Sequence, residues 1–392
     1  MERYQGFVRS MRSLYLCRRH FRPPVVMSGR WILQFCHGYS GPFADVTRQY
    51  AALFRGSPYK VLTVYLTGAP SKDVVLRAES DEVAFLGYSA REVAGLKLGA
   101  IHALRRLLVG RDIALVIAHR AKPIYVACLA TRLPVIGVHH AFGDYKRASR
   151  WCFANVFRRR LALLAVSDAV RYDILRCLPA WPQDRIETLH NRLDVEAARR
   201  ALLPRAEARL RLGLPEGVPV IGTVGRLHPD KDQATLVAGF AAALPALPAG
   251  TLLAIAGSGP LEGKLKAQAE ALGIAPSVRF LGQIPEARRC FKAFDLFVLS
   301  SDHEPFGMVL LEAMAADVPV MATACGGAPE VVDDPACLFP LGDSRALAGM
   351  LIRFFAAPVA GTHGPTLEEK FSDHAARTRF FALPLVREVL SC

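Results

Sequence analysis

No apolar run in this chain approaches the roughly 18 residues that a membrane-spanning helix needs. The longest, such as LALLAV at 161–166 and TLLAIAG at 251–257, have strand length. Paired cysteines are also missing. The nine cysteines stand at 17, 36, 128, 152, 177, 290, 325, 337 and 392, with no C-x-x-C among them. An odd, scattered set argues against a disulfide framework or a zinc site, and we read these cysteines as reduced, cytosolic packing residues. There is no internal repeat and no low-complexity tract, and G-x-G-x-x-G is absent. Acidic residues are in deficit, 35 against 49 Lys and Arg, for a net charge of +14. Such a balance favours anionic partners, whether nucleic acid, anionic lipid or phosphorylated substrates. Nucleic acid is disfavoured, because no nucleic-acid motif is present and the basic residues form no continuous stripe.

What is present is an α/β pattern. The 392 residues are 52% hydrophobic and 21% charged, enough to bury two cores. Strands are expected at 31–36, 59–66, 113–119, 134–140 and 161–167. A second series follows at 218–225, 251–257, 278–282, 296–301 and 318–323. Apolar strands with Gly, Pro or Ser exits, separated by helical patterns, indicate parallel sheets. We expect a basic extension at 1–26, with Met27 as the true start, and a first domain over 27–195. A helix and linker follow at 196–217, then a second domain over 218–371. A C-terminal helix at 372–392 is expected to cross back to the first domain. The extension holds six arginines against one acid, Glu2.

Ligands of parallel α/β sheets bind at the carboxyl ends of the strands, so the strand exits are where chemistry is expected. The first exit, HGYSGPFADV, places Gly38 and Gly41 around a turn into a helix, where backbone N–H groups can meet an anion or a sugar oxygen. PVIGVHHAFGD ends on His139 and His140; adjacent strand residues point to opposite faces, so one of the two could face a ligand. GTVGRLHPDKDQ sets Arg226 and Lys231 across the turn at Gly225, a plausible clamp for a diphosphate. The string Asp230-Lys231-Asp232 also fits the D-x-D pattern of metal-dependent sugar transfer, but the intervening lysine disfavours a metal. IAGSGPL places Gly257 before a helix, as a backbone nest would require. Taken singly, each of these has an ordinary structural reading as a tight turn, a core histidine or a solvated cation.

EPFGMVLLE is harder to explain that way. Glu304 stands in a loop, Glu312 lies within the following helix, and Gly307, Met308 and Val309 open that helix. A helix N-terminus suits an anionic group, and a carboxylate at Glu312 needs a partner, for which vicinal ribose hydroxyls would serve. The two glutamates would then hold two parts of one ligand.

Together these stretches resemble the family 4 retaining glycosyltransferases of GT-B fold. The family's E-x7-E element matches EPFGMVLLE, and its G-R-L-x-x-x-K-D element matches GRLHPDKD. AVSDAV, LHNRLD, AGSGPLE, VRFLGQI and GGAPEVV match further segments in the same order, over about residues 31–340. The resemblance implies two Rossmann-like, doubly wound domains facing a cleft. Arg226 and Lys231 would bind the donor diphosphate, Glu304 the donor sugar and Glu312 the ribose. Gly41 would lie near the phosphates, and His139 or His140 at the sugar. It also implies retention at the anomeric carbon with no metal and no cofactor beyond the nucleotide-sugar donor. The expected activity is hexosyl transfer from a nucleotide sugar, UDP-linked such as UDP-glucose, to a saccharide or glycolipid, for instance the lipopolysaccharide core. Two departures stand out. Arg192 occupies a usual glycine of the family, and the N-terminal loop is not G-G-A-E.

The stretch YKRASRWCFANVFRRR at 145–160 carries six cations and four aromatics. One use is docking to an anionic membrane; the other reading is an ordinary basic helix with Trp151 in the core. The expectation is a cytoplasmic enzyme, peripheral on the inner membrane. The alternatives are a transferase-like binding subunit without turnover and a nucleotide-sugar epimerase on the same fold.

Overall fold

The computed structural model describes residues 29–39, 43–358 and 364–390. The basic extension with Met27, and Gly41, lie outside the described residues. The chain divides into two compact units, Met1–Asn191 with Ala376–Cys392, and Arg192–Ala375.

The first unit is built on seven strands: β1 (Trp31–Cys36), β2 (Lys60–Thr67), β3 (Glu82–Tyr88), β4 (Ile113–His119), β5 (Val135–His139), β6 (Leu161–Ala165) and β7 (Ile186–Thr188). Their order is β3-β2-β1-β4-β5-β6-β7, and every pairing is parallel. β1, β4, β5 and β6 are buried along their whole length, which is why they appear in the sequence as continuous apolar runs. β3 and β7 were not expected. β3 opens on Glu82 at one edge of the sheet, where Arg111 pairs with it at 2.7 Å; β7 is three residues long at the other edge.

The second unit holds β8 (Val220–Val224), β9 (Leu252–Ala256), β10 (Val278–Gly282), β11 (Leu296–Leu299), β12 (Val320–Thr323) and β13 (Leu338–Phe339). Their order is β10-β9-β8-β11-β12-β13, again all parallel. Ile221, Leu253 and Val298 of the strands pack with Leu236, Phe240, Leu347 and Leu351 of the covering helices. In each sheet the strand order reverses once, between β1 and β4 and between β8 and β11. Ligands of such sheets bind at that reversal. Among the described residues no helix is long and apolar enough to cross a membrane.

The stretch 196–217, read as a helix and linker, is part of the second unit. It forms the helices Val195–Ala201 and Arg205–Leu212. Arg209 anchors it from a buried position: its guanidinium donates to Asp295 at 2.9 Å and to the carbonyls of Ala293 at 3.1 Å and Pro215 at 2.9 Å. The Asp295 carboxylate also accepts from the Val220 N–H at the start of β8. A helical pattern rich in Arg and Ala gave no hint that one arginine would be buried.

The C-terminal stretch forms two helices, Asp373–Ala382 and Pro384–Leu390. Residues from Ala376 onward belong to the first unit, where Phe380 and Phe381 meet Phe54 edge-on.

The chain passes between the units at 191/192 and 375/376, and the second unit ties the two passages together. Leu193 bridges Ser372 in parallel and its N–H donates to the Phe371 carbonyl at 2.9 Å. Arg192, 1% exposed, donates to Asp373 at 3.1 Å. Breaking a buried ion pair by removing one partner costs about 3–5 kcal/mol. Arg192→Gly, which restores the residue usual in the family, is therefore expected to lower stability by about 3 kcal/mol in urea unfolding. A loss below about 1 kcal/mol would show that the pair is not structural.

Candidate functional site

The second unit gathers the exits of β8, β9, β11 and β12 into one packed ring of backbone. Gly257, after β9, lies against Gly225, after β8: a Cβ on Gly257 would stand 1.8 Å from the Gly225 carbonyl oxygen. Gly326, after β12, lies against the Glu304 loop after β11, with 2.0 Å from a Cβ position to the Glu304 carbonyl oxygen. Both glycines have φ between +59° and +144°, so a side chain at either would clash with backbone and strain the turn. The loops are also hydrogen-bonded to one another. Asp302 N–H donates to the Asp230 carbonyl at 3.1 Å, Ser300 Oγ to the Lys231 carbonyl at 3.0 Å, and Gly327 N–H to the Glu304 carbonyl at 2.8 Å.

Within that ring Lys231 Nζ lies 2.7 Å from Glu304 Oε2. Glu304 is 7% exposed. Oε2 also accepts from Ser301 Oγ at 3.1 Å, and Oε1 accepts from the Phe306 N–H at 3.4 Å. The helix Met308–Ala315 starts after Gly307, which has a positive φ of 98° and no side-chain cap. The first N–H groups of that helix have no intrahelical partner and carry positive potential. Met308, Val309 and Glu312 are half-buried while Leu310, Leu311, Ala313 and Met314 are buried. Their spacing places the three on one helix face.

Arg226 is exposed and pairs with Asp230 at 2.9 Å. Asp230 Oδ1 also lies 2.6 Å from His228 Nδ1, whereas Asp232 caps the next helix through Thr235. The two acids of the D-x-D string thus have separate partners. Ser301 was not singled out from the sequence; a serine in an SSDHE loop has no signal of its own until the glutamate it serves is located. Cys325 donates from Sγ to the Asp302 carbonyl at 2.7 Å, and burial raises its pKa, so it sits in the ring as a thiol.

In the first unit Gly38 follows β1, where the His37 carbonyl accepts from Thr67 N–H at 2.9 Å and Thr67 Oγ1 at 2.6 Å. The two candidate histidines part company. His139 is 1% exposed. Its Nδ1 lies 2.7 Å from Asp144 Oδ2, and its Nε2 lies 3.1 Å from the Tyr145 hydroxyl. An ionised carboxylate only accepts, so Nδ1 carries the proton and Nε2 takes the tyrosine hydrogen. Both ring nitrogens of His139 serve the interior. His140, one residue on, is half-buried, with Nε2 lying 3.2 Å from Nδ1 of His119. His119 ends β4, and although that strand was expected, its histidine was not singled out.

Two family models match this chain in succession, "Glycosyltransferase Family 4" over residues 43–197 and "Glycosyl transferases group 1" over 204–375. A D-inositol 3-phosphate glycosyltransferase of Segniliparus rotundus is 37% identical over 135 residues, 33% of this chain and 30% of that protein. An alpha-maltose-1-phosphate synthase of Mycolicibacterium smegmatis is 32% identical over 200 residues, 49% of this chain and 51% of that one. The chain thus spans about a third to a half of the length of these curated relatives. Among solved structures, a glycosyltransferase of Rickettsia africae superposes with a TM-score of 0.78 at 16% identity, over 93% of this chain and 99% of that one. HepE of Anabaena, solved with UDP and glucose, superposes with a TM-score of 0.72 at 20% identity, over 92% and 99%. The structures show the fold. The chain belongs to the family 4 glycosyltransferases of GT-B fold.

The ion pair allows a direct check on the ring. Lys231→Ala leaves Glu304 buried without its cation and is expected to destabilise by about 3 kcal/mol. Arg226→Ala removes an exposed pair and is expected to cost less than about 1 kcal/mol. Urea unfolding of the two variants measures the difference; equal effects would mean that the Lys231–Glu304 pair contributes nothing special.

Proposed function

We propose that the chain transfers a hexose from a nucleotide sugar to a saccharide acceptor, with retention at the anomeric carbon. The observation that carries this reading is the Lys231–Glu304 pair, held at the strand reversal among exits that only glycine permits. Glu304 would accept a hydroxyl of the donor sugar. Lys231 and Arg226 would take the diphosphate, assisted by the N–H groups of Met308 and Val309, and Glu312 would hold the ribose. The acceptor oxygen would bond to the anomeric carbon on the face that the phosphate leaves, and its proton would pass to a phosphate oxygen. The cations and the helix start supply the positive charge that the leaving diphosphate needs, so the reaction as proposed requires no metal.

The relatives carry different chemistry in their names. One is named for inositol 3-phosphate, and one of Corynebacterium glutamicum, 32% identical over 197 residues, for GDP-mannose. A UDP-hexose remains our first donor, a GDP-hexose the second. The test is nucleoside diphosphate release from a panel of nucleotide sugars in EDTA, wild type beside Glu304→Ala. Slow release from one donor is expected, falling at least about 100-fold in the variant. A folded protein that neither releases diphosphate nor binds any donor in calorimetry would overturn the reading.

We further propose an acceptor at an anionic surface, such as a lipid-linked saccharide of lipopolysaccharide-core type. The support is the helix Ala148–Phe157 and its flanks. Trp151 is 45% and Val156 75% exposed, so Trp151 is not in the core. Arg147, Arg158 and Arg159 are exposed beside them. Aromatic and basic residues together suit a lipid headgroup layer. Sedimentation with vesicles containing an anionic phospholipid is expected to pull the protein down at low salt and release it at high salt. Equal recovery with neutral vesicles would remove this part of the proposal.

A further inference from the structure

The turn at 225–232, which follows β8, is pinned along its backbone. The Arg226 carbonyl accepts from the His228 N–H at 3.0 Å and from Nε2 of the buried Gln233 at 2.9 Å. The Leu227 N–H donates to the Ser258 carbonyl at 3.0 Å, and the Leu227 carbonyl accepts from the Leu261 N–H at 3.1 Å. The Asp230 carbonyl accepts from the N–H groups of Asp302 and His303 at 3.1 and 3.4 Å. Of the two cations in the turn, Lys231 is fixed by its pair with buried Glu304. The Arg226 side chain is 67% exposed, so it is the part of the turn that the backbone bonds leave loose.

A long exposed side chain loses rotamer freedom when it grips a ligand. Asp230 removes some of that freedom in advance. Its Oδ2 accepts from Arg226 Nη2 at 2.9 Å. Its other oxygen, Oδ1, lies 2.6 Å from His228 Nδ1, so the carboxylate is held from both sides and cannot swing with the arginine. Among the described residues Asp230 is the one side chain that accepts from Arg226. A guanidinium carries five N–H groups in a rigid fork, and a contact through Nη2 leaves Nε–H and Nη1 to be aimed. A pair this exposed adds little to stability. By charge alone, a carboxylate beside an arginine that binds an anion weakens that binding. What the carboxylate can contribute is direction.

We propose that Asp230 is a positioning residue, which holds Nη2 of Arg226 so that Nε–H and Nη1 are presented to the donor diphosphate. This rests on the glycosyltransferase reading for the diphosphate. His228 acts one step further out, by holding the second oxygen of Asp230. The acid that the D-x-D pattern would assign to a metal thus serves an arginine.

The test compares two substitutions that both remove the carboxylate charge. Asp230→Asn keeps an oxygen that can accept from Arg226, and Asp230→Ala keeps none. Calorimetry on the full chain in EDTA measures binding of two probes, UDP and GDP. For whichever probe the wild type binds, Asp230→Ala is expected to bind about fivefold more weakly than Asp230→Asn, the cost of ordering one loose arginine. Asp230→Leu, which keeps the shape of the side chain and offers no acceptor, is expected to match Asp230→Ala and replaces it should the smaller residue fail to fold. In an Arg226→Ala background the substitutions at 230 are expected to bind equally, because a residue that acts through the arginine has nothing left to act on. Equal affinities of Asp230→Ala and Asp230→Asn with Arg226 present would overturn the proposal. So would a difference that persists once Arg226 is gone, since Asp230 would then act on the turn itself. Either of these results, with the probe bound by the wild type, leaves the glycosyltransferase reading standing. A folded wild type that binds neither probe would overturn that reading, and the role given to Arg226 with it.

Discussion

The close approach of backbone to backbone at the exits of β8, β9, β11 and β12 is the constraint on which the meeting of Lys231 and Glu304 depends. Lys231 and Glu304 lie 73 positions apart in the chain, yet their side-chain atoms meet at 2.7 Å. That meeting follows from loops pressed into contact at Gly257 and Gly326, where any Cβ would overlap a carbonyl oxygen. Loops held this way have little freedom to relax, because packed interiors deform in discrete steps. The Lys231 cation and the Glu304 carboxylate are thereby held in place by the fold itself.

The first unit is ordered by another route. Its strand ends are ordered by side-chain hydrogen bonds running through the core, from Ser80 through Thr63, Gln34 and His119 to His140. A buried polar network of this kind stabilises a single arrangement only when each member is satisfied, and here the amide of Gln34 is satisfied on both its oxygen and its nitrogen. His139 shows the complementary case. The same strand end sends its neighbouring ring inward, where Asp144 and Tyr145 engage both nitrogens and leave a structural residue beside a half-buried one.

Much of this was legible in the sequence, for reasons that lie in the periodicity of buried strands. Ten strands announce themselves because a parallel strand covered on both faces is apolar throughout. β3, β7 and β13 did not, since an edge strand starting at Glu82 and segments of three and two residues have no such run. The glycines and charged residues at the exits were visible as types. The pairing of Lys231 with Glu304 was not, because nothing local links positions 231 and 304. Opposite faces for His139 and His140 followed from strand geometry, but which face was interior needed Asp144, five residues on and on a separate turn. Gln34 and His119 were hidden for the opposite reason: each sits in a run so apolar that it passes as an ordinary buried strand.

Arg192 joins these two kinds of order. The family resemblance leads one to expect a glycine there. An arginine with its guanidinium on Asp373 fastens the segment that enters the second unit to the segment that leaves it. The Phe371 carbonyl receives the Leu193 N–H, and the Phe371 ring meets Phe306 at 5.7 Å, edge to face. Phe306 is the residue whose N–H supports Glu304 Oε1. The fastening at Arg192 and the carboxylate at Glu304 are therefore two ends of one contiguous set of contacts. Loosening the first removes packing from the loop that carries the second, although Arg192 lies outside the ring of strand exits that holds Lys231 and Glu304.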